Sequence, residues 1–515
     1  MASQPGRWYG VTIFVTVTVL FAVSFAEAQA SSARTGAEGY ASAQVSVMQQ
    51  LQLTVSDLQA QVSSLQAQIK DMQAMMANRA GPDAPDREAA HNIVDPGPHG
   101  PSDGVDIERP QTGESTLLAK SGGAPLSAED RGILDYLKTA TTNVMFDGYY
   151  SYNFNDPVGR VNLLRAYDVS SNAFSLNQAA VVFERAADPE AGRRWGTRLD
   201  LQFGQATATL QGNPANEHRP DIYRNIFQAY GTYVIPAGKG INVDFGKWAS
   251  SLGYEGNYTK DQMNYSRSYW FNFLPFYHMG FRVSYPVNNK LELNYWLING
   301  SNQTEPTNEF KDEMFGFVLT PGKNITWTMN YYFGQENPDS RPVANCGPVP
   351  VQPGLCFVAV TPASDGKLQI FDSYVNWQAA RRWTFALEGD YVIQRIWADA
   401  APGKNSAPAH TWGGAAYAKY QLTPNGFLAA RAEYLSDHGS FFTGGLFSGV
   451  TEALKEVTLT YSYNVAHGLQ LKTEWRRDWS NVPIFLTSTQ NVFSKDQNTA
   501  TLGLIWWFGR KQGAW

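Results

Sequence analysis

The sequence predicts an all-β transmembrane protein. We expect an antiparallel outer-membrane β-barrel of about 16 strands (roughly 14–18), preceded by an N-terminal coiled-coil helix and a disordered linker. From residue 141 onwards, apolar and polar residues alternate with a period of two, as in strands with one apolar and one polar face. Short and long connections alternate, which is typical of outer-membrane barrels and has no cause in a soluble β-sandwich. Charged residues make up only 17% of the 515 residues and aromatic residues 13%, whereas an average soluble domain is roughly 25% charged.

Composition also excludes several classes of protein and site. Mean hydropathy is −0.34 and no long apolar run follows the N-terminus, which excludes a polytopic helical membrane protein. The net charge of −6 argues against a nucleic-acid partner. Two cysteines cannot build a Cys-rich metal site, and the seven histidines are scattered without ligand spacing. We therefore expect no enzyme activity, no catalytic residues, no metal site and no cofactor.

Residues 1–30 are predicted to form a secretory signal peptide. Arg7 precedes the apolar run Val11–Phe25, and small-residue cleavage sites end at Ala28 and Ala30. The alternative is an uncleaved anchor helix, although the run is shorter than the about 20 residues of a membrane span. Cleavage after Ala28 or Ala30 would export the rest of the chain.

Residues 31–78 are predicted to contain a coiled-coil helix. Apolar residues recur in alternating steps of three and four for about four heptads, a pattern that drives helix self-association. The core positions are Met48, Leu51, Val55, Leu58, Val62, Leu65, Ile69 and Met72. This segment is interpreted as a periplasmic oligomerisation stalk, with a trimer favoured. The alternative is one amphipathic helix that lies on the protein itself.

A linker and a short helix separate the coil from the barrel. Residues 79–126 are rich in Pro, Gly, Asp and Ser and cannot bury a core, which predicts a disordered linker. Residues 127–140 begin with a helix-start pattern and carry one apolar face. This helix is predicted to plug or cap the barrel, which is assigned to residues 141–515.

The strand pattern is clearest between residues 382 and 391. Trp383, Phe385 and Leu387 point to one side of the predicted strand, and Glu388 and Asp390 to the other. Sixteen such segments are joined alternately by short turns and by long loops. Aromatic residues near strand ends are typical of the girdles at the two lipid interfaces.

Seven stretches of the predicted barrel carry a resemblance to a known family: Phe146–Asn155, Asn172–Asn177, Val243–Lys247, Leu252–Glu255, Asn264–Ser268, Pro275–His278 and Ser284–Pro286. Together they resemble the putative β-barrel porin-2 family, described as OmpL-like, and the resemblance covers roughly residues 127–508. A more distant resemblance is to the phosphate-selective porin family. The resemblance implies an outer-membrane pore whose substrate is mostly unassigned.

A selective pore needs a polar lumen, a constriction and charged groups whose sign sets its ion preference. The predicted register places charges of both signs on the inward faces of the strands. These are Arg198, Asp200, Glu388, Asp390, Arg431, Glu433, Glu456, Lys472, Glu474 and Arg476. Facing charges of opposite sign would set an electric field across the pore. The alternative is that these residues simply solvate a wide channel.

The third long loop, residues 249–277, is the predicted constriction. In sixteen-stranded porins the third loop folds inward and narrows the pore. Its candidate residues are Glu255, Lys260, Asp261, Tyr265, Arg267, Trp270 and Phe271. The charged residues are predicted to form an eyelet, and the aromatic ones to line a track for sugars or to anchor the loop. The alternative is an outward lid.

Cys346 and Cys356 lie ten positions apart in a long loop. Because export favours oxidation, we expect them to form a disulfide that stiffens the loop.

The predicted function is that of an outer-membrane porin for passive diffusion of small hydrophilic solutes or ions. The alternative is a plugged barrel with a structural role, tethered to the envelope by its periplasmic coiled coil. Expected partners are outer-membrane lipid of a Gram-negative-type bacterium, further copies of the chain in a homotrimer, and the barrel-assembly machinery. That machinery usually reads a terminal aromatic, and both Phe508 and Trp515 are candidates.

Overall fold

The computed structural model describes residues 132, 136–211, 217, 219–342, 357–361, 366–395, 407–443, 450–511 and 515. The predicted signal peptide, coiled coil, linker, Cys346 and Cys356 lie outside the described residues, so these interpretations remain predictions. Among the residues described, no helix is both long and apolar enough to cross a membrane.

Sixteen antiparallel strands form a closed barrel, which confirms the predicted fold class. In chain order they are β1 (Thr141–Asn153), β2 (Ala173–Arg185), β3 (Trp195–Phe203), β4 (Ile226–Ile235), β5 (Ile241–Ala249), β6 (Tyr277–Pro286), β7 (Leu291–Ile298), β8 (Asp312–Gly322), β9 (Ile325–Gln335), β10 (Lys367–Ala380), β11 (Trp383–Gln394), β12 (Ala409–Thr423), β13 (Gly426–His438), β14 (Thr451–Ala466), β15 (Leu469–Ser480) and β16 (Asp496–Gly509). Each strand pairs with its neighbours in sequence, and β1 pairs with β16 to close the wall. Closure satisfies the strand backbone without leaving an edge.

The connections fall into two classes that occupy opposite ends of the barrel. Short turns such as those between β8 and β9 and between β12 and β13 leave only two residues between strands. Long loops follow the odd-numbered strands at the other end, and the third of them runs from residue 250 to 276. This segment is named loop 3 below. In outer-membrane barrels the short turns are periplasmic and the long loops external.

The two faces of each strand differ as the alternation in sequence requires. On β14, Leu459, Tyr461 and Tyr463 are exposed on the outer face, while Glu456 and Thr458 are buried inside. Aromatic rings also meet across the outer face, as Trp383 and Tyr420 do with ring centroids 4.6 Å apart. The outer wall is therefore apolar and the lumen polar, as a lipid-facing barrel requires.

The interior is apolar at the end that carries the long loops. Trp248, Trp296 and Tyr332 on the wall are buried in one cluster with Trp270 and Leu274 of loop 3. Trp270 belongs to a one-turn helix, Tyr269–Phe273, whose first turn is capped by the Ser268 hydroxyl, which accepts from the Phe271 N–H. Loop 3 is thus packed into the barrel through large hydrophobic side chains.

The segment before β1 lies at the wall. Tyr136–Thr139 is helical, and the Tyr136 ring stacks on Phe183 with ring centroids 6.2 Å apart. The guanidinium of Arg185 lies over the same ring and donates to the Thr139 hydroxyl. Phe183 and Arg185 alternate with buried Val182 and so occupy the outer face of β2.

Candidate functional site

Loop 3 crosses the interior of the barrel and contacts the wall on several sides. The Tyr258 hydroxyl donates to Asp200 on β3 at 2.6 Å. The Tyr254 N–H donates to Glu388 on β11 at 3.0 Å, and the Tyr265 N–H to Glu474 on β15 at 2.6 Å. These wall positions lie on distant strands of a closed barrel, so loop 3 spans the lumen and does not form an outward lid.

Two buried arginines on the wall join loop 3 to the strands from β13 to β15. The Arg431 guanidinium lies 2.7 Å from Glu255 of loop 3 and 2.7 Å from Glu456 on β14. The Arg476 guanidinium lies 2.7 Å from Asp478 and 3.7 Å from Glu433. Each buried carboxylate in this group therefore has a buried cation beside it, which offsets the cost of removing the charges from water.

The wall also holds the loop through its backbone. The Lys472 ammonium donates to the carbonyl oxygens of Thr259 at 3.0 Å and Asn264 at 3.3 Å. The Glu433 carboxylate accepts the Tyr269 N–H at 2.8 and 2.9 Å. Charge-assisted bonds of this kind are stronger than neutral ones, so they fix the path of the loop.

The first long loop, residues 154–172 between β1 and β2, is named loop 1 and also contacts these buried charges. Arg165, between β1 and β2, lies 2.6 Å from Asp168 and 2.7 Å from Asp478 on β15. The Arg267 guanidinium of loop 3 lies over the Tyr167 ring, 4.7 Å from its centroid. Loops 1 and 3 therefore pack on each other inside the barrel.

The residues predicted to form a constriction occupy different positions within loop 3. The Lys260 ammonium lies 2.7 Å from Asp261 and 4.6 Å from the Trp515 ring centroid. Burial lowers the pKa of Lys260, while neighbouring Asp261 acts to raise it. Glu255 and Arg267 are buried in the contacts described above and do not face an open channel.

The predicted aromatic residues hold the loop in place. Tyr265 and Trp270 are fully buried. The Tyr265 hydroxyl donates to Asp147 on β1 at 2.9 Å, and the Trp270 indole N–H donates to the Tyr434 carbonyl at 3.1 Å. The Phe271 ring packs edge-on against Tyr167. Of the two roles considered for these rings, the geometry fits anchoring.

All predicted lumen charges lie on the buried, inward faces of their strands. They are Arg198, Asp200, Glu388, Asp390, Arg431, Glu433, Glu456, Lys472, Glu474 and Arg476. Arg198 pairs with Asp200 on its own strand at 2.9 Å. On β13 and β15 these charges contact loop 3, and Glu456 on β14 pairs with Arg431 and Arg476.

An ion pair that the sequence analysis missed lies on the opposite side of the lumen. The Arg282 guanidinium on β6 lies 2.7 Å from Asp244 on β5, and both side chains retain partial exposure, 23% and 11%. The rings of Trp248 and Trp296 lie 5.2 and 5.4 Å from the guanidinium carbon. The period-two pattern would have placed Arg282 on the same face as His278.

A second missed residue is Asp372 on β10. It pairs across the strand with Asp390 on β11, and one oxygen from each of Asp372, Glu388 and Asp390 lies within 4.8 Å of the others. The sequence placed Glu388 and Asp390 on the inward face, but cross-strand pairing is needed to bring Asp372 to them.

Comparison with protein families gives a match over the wall itself. The family model described as putative beta-barrel porin-2, OmpL-like, matches residues 141–508. The chain belongs to this OmpL-like porin family. The match begins at the first residue of β1 and ends within β16, so the OmpL-like unit is the barrel. Its membership and its closed wall make the chain an outer-membrane porin barrel, and the fold is that of a channel. Comparison with curated proteins gives no match.

Several solved structures are similar to this OmpL-like porin. The outer membrane channel DcaP of Acinetobacter baumannii is 10% identical, with a TM-score of 0.45 over 72% of this chain and 96% of that chain. OprB of Pseudomonas putida is 11% identical, with a TM-score of 0.45 over 74% and 96%. An anion-selective porin from Comamonas acidovorans is 7% identical, with a TM-score of 0.41 over 72% and 99%.

Proposed function

We propose that the protein is a porin that lets small hydrophilic solutes or ions diffuse passively across the outer membrane. The observation that carries this proposal is the asymmetry of the lumen. Loop 3 covers the strands from β13 to β15, whereas the inward side chains of β4 to β7 near the short turns stay partly exposed. These side chains are Thr232, Asn242, Arg282, Ser284 and Asn294. A polar strip beside a packed loop is a path for hydrated solutes.

The Arg282–Asp244 pair is the charged element of this path. The guanidinium lies beside the Trp248 and Trp296 rings, and the Tyr230 ring centroid is 5.4 Å from its carbon. Aromatic rings packed around a guanidinium restrict its motion and leave its charge in place. We infer that Arg282 presents a fixed positive charge to passing ions, with Asp244 as its counter-charge.

The experiment that tests the proposal is conductance of the purified, folded protein in a planar bilayer under a salt gradient. Discrete steps with a defined reversal potential would support a porin. Heat-modifiable migration in gels would serve as the control for folding. Folded protein that conducts no current at any salt concentration would contradict the proposal.

The second candidate is a plugged barrel with a structural role, in which the predicted coiled coil tethers the outer membrane to the envelope. The observation that favours it is the completeness of loop 3 packing, in which Arg267, Arg431 and Arg476 are each fully buried. Deletion of residues 31–126 separates the two candidates. Solute uptake would survive the deletion in a porin, whereas envelope integrity would fail if the coil is a tether.

We also propose that the protein assembles as a homotrimer through its outer wall. On β12 and β13, Ala416 faces Ala432 and Ala418 faces Ala430 across the strands. The four small side chains line an outer groove of about 500 Å³. Small residues let a second wall approach closely, while the larger apolar side chains elsewhere contact lipid. The predicted coiled coil would hold the copies together in the periplasm.

A further inference from the structure

Three carboxylates meet on the inward wall between β10 and β11. One oxygen from each of Asp372, Glu388 and Asp390 lies within 4.8 Å of the other two. All three residues are buried, with 1%, 7% and 6% of their surface exposed. Asp372 and Asp390 are direct cross-strand partners, and Glu388 lies on the same face two positions from Asp390.

The groups around this cluster are neutral hydrogen-bond donors. Asp372 accepts the Gly253 N–H at 3.0 Å and the Asn330 amide at 2.7 Å. Glu388 accepts the Tyr254 N–H at 3.0 Å, and the Tyr417 hydroxyl donates to its second oxygen at 3.2 Å. None of these donors carries a charge.

Asp390 points into the cluster without any partner. Its two carboxylate oxygens are buried, and within the described ranges neither has a hydrogen-bond partner. A buried acceptor left without a partner costs free energy, and a buried carboxylate costs more. This side chain therefore has two acceptor oxygens that the protein's own donors do not fill.

Charge compensation is also missing here, in contrast to the arginine-paired carboxylates of β14 and β15. Across the part of the chain that the structure describes, none of the three carboxylates forms an ion pair, whereas Glu456 and Asp478 pair with Arg431, Arg476 or Arg165. Like charges at such separations repel strongly when water is excluded. The cluster needs a positive charge from outside the chain.

We propose that Asp372, Glu388 and Asp390 bind a hard divalent cation, Ca²⁺ or Mg²⁺. Both ions prefer carboxylate oxygens and complete their coordination with water. A cavity of about 350 Å³ adjoins the site at the end with the long loops. Ile370 and Val392 line it, and they are the next inward residues after Asp372 and Asp390, so the cluster lies one inward position from this cavity.

The site would also stabilise the start of loop 3. The N–H groups of Gly253 and Tyr254 bind the same carboxylates that would hold the cation. A bound cation removes the repulsion between these carboxylates and keeps them in place as acceptors. Cation binding therefore links the wall at β10 and β11 to the segment that enters the lumen.

The test uses the full folded chain in detergent, freed of metal with a chelator, and titrated calorimetrically with CaCl₂ or with MgCl₂ alone. Asp390→Asn keeps the size of the side chain and removes its charge. Asp221→Asn is the matched control, because Asp221 lies in the short helix Pro220–Tyr223 between β3 and β4 and pairs with Arg224 at an exposed site. We expect one saturable site in the wild type and in the control, with affinity at least tenfold weaker in Asp390→Asn.

Thermal unfolding gives a second readout that does not depend on binding heat. Without divalent cation, Asp390→Asn should unfold at a higher temperature than the wild type, because one repulsive charge is gone. At the same concentration, cation should raise the unfolding temperature of the wild type more than that of Asp390→Asn.

Two outcomes would overturn the proposal. One is a folded wild type that binds neither ion up to about 10 mM, tenfold above the weakest common Ca²⁺ affinities, which would mean that the carboxylates share protons. The other is binding that Asp390→Asn leaves intact, which would place the cation elsewhere. Neither result depends on conductance, so the porin proposal stands or fails separately.

Discussion

The Arg431 guanidinium and the Glu255 carboxylate lie 2.7 Å apart, with both side chains buried, and join β13 to loop 3 across 176 positions of sequence. The same guanidinium also donates to Glu456 and to the Ser266 carbonyl. One side chain therefore fixes two points of loop 3 against the wall.

Replacing Arg431 with Met should strongly destabilise the barrel. The change removes the cation paired with the buried Glu255 carboxylate and leaves Glu456 with Arg476 alone, 3.4 Å away. Removing one partner of a buried pair costs about 3–5 kcal/mol. Unfolding in denaturant, followed by gel mobility or tryptophan fluorescence, measures the loss. The control is Arg477→Met, since Arg477 pairs with Asp496 at a half-exposed outer site and should cost about 1 kcal/mol or less. Equal losses in the two variants would contradict the proposed role of Arg431.

Replacing Arg282 with Gln should shift ion preference toward cations. The substitution removes the positive charge that we place beside the path and leaves Asp244 uncompensated. Asp244→Asn should shift the reversal potential in the opposite direction. Planar-bilayer recordings under a salt gradient measure both shifts. If both variants keep the wild-type reversal potential, ions do not pass this pair.

Replacing Lys472 with Met should loosen loop 3 while leaving the wall intact. The ammonium donates to loop carbonyls, including those of Thr259 and Asn264, and a methionine of similar length cannot. We expect more frequent current fluctuations in single-channel records, with the same heat-modifiable gel mobility. Lys455→Met, on the outer face of β14, is the control and should record like the wild type. If both variants show the wild-type frequency of current fluctuations, the Lys472 ammonium does not hold the loop.

Replacing Gly503 with Ala should displace Tyr265. A Cβ at this position on β16 would lie 2.3 Å from the Tyr265 ring, which is fully buried against the strand. Overpacking of this kind costs about 1–3 kcal/mol. Gly389→Ala is the matched control, because the nearest atom to its Cβ would be 3.9 Å away. Thermal unfolding of both variants measures the difference, and a Gly503→Ala protein as stable as the control would contradict the packing of Tyr265.

The strands and their faces could be predicted from the sequence. Alternation with a period of two is a local property, so it identified both the strands and the inward position of residues such as Arg431 and Glu474. Turn composition is also a local property, so it predicted where strands end, as at Thr423–Gly426 between β12 and β13. The predicted strand number was about sixteen, within a range of 14–18, and the closed barrel has sixteen.

Contacts between side chains on different strands could not be predicted from these local patterns. The Tyr265 ring reaches Asp147 on β1, and Asp372 reaches Asp390, only after strand pairing and closure have set every distance across the lumen. Loop 3 was recognisable by its length and residue types, but its contacts depend on which wall charges face it. The sequence by itself determined a barrel of about sixteen strands with a polar interior. Strand formation, and the side of the sheet that each side chain occupies, are decided within a few residues. Only the tertiary structure decided which charges are paired by arginine and which three carboxylates are left together, because such contacts join residues that are far apart in the chain.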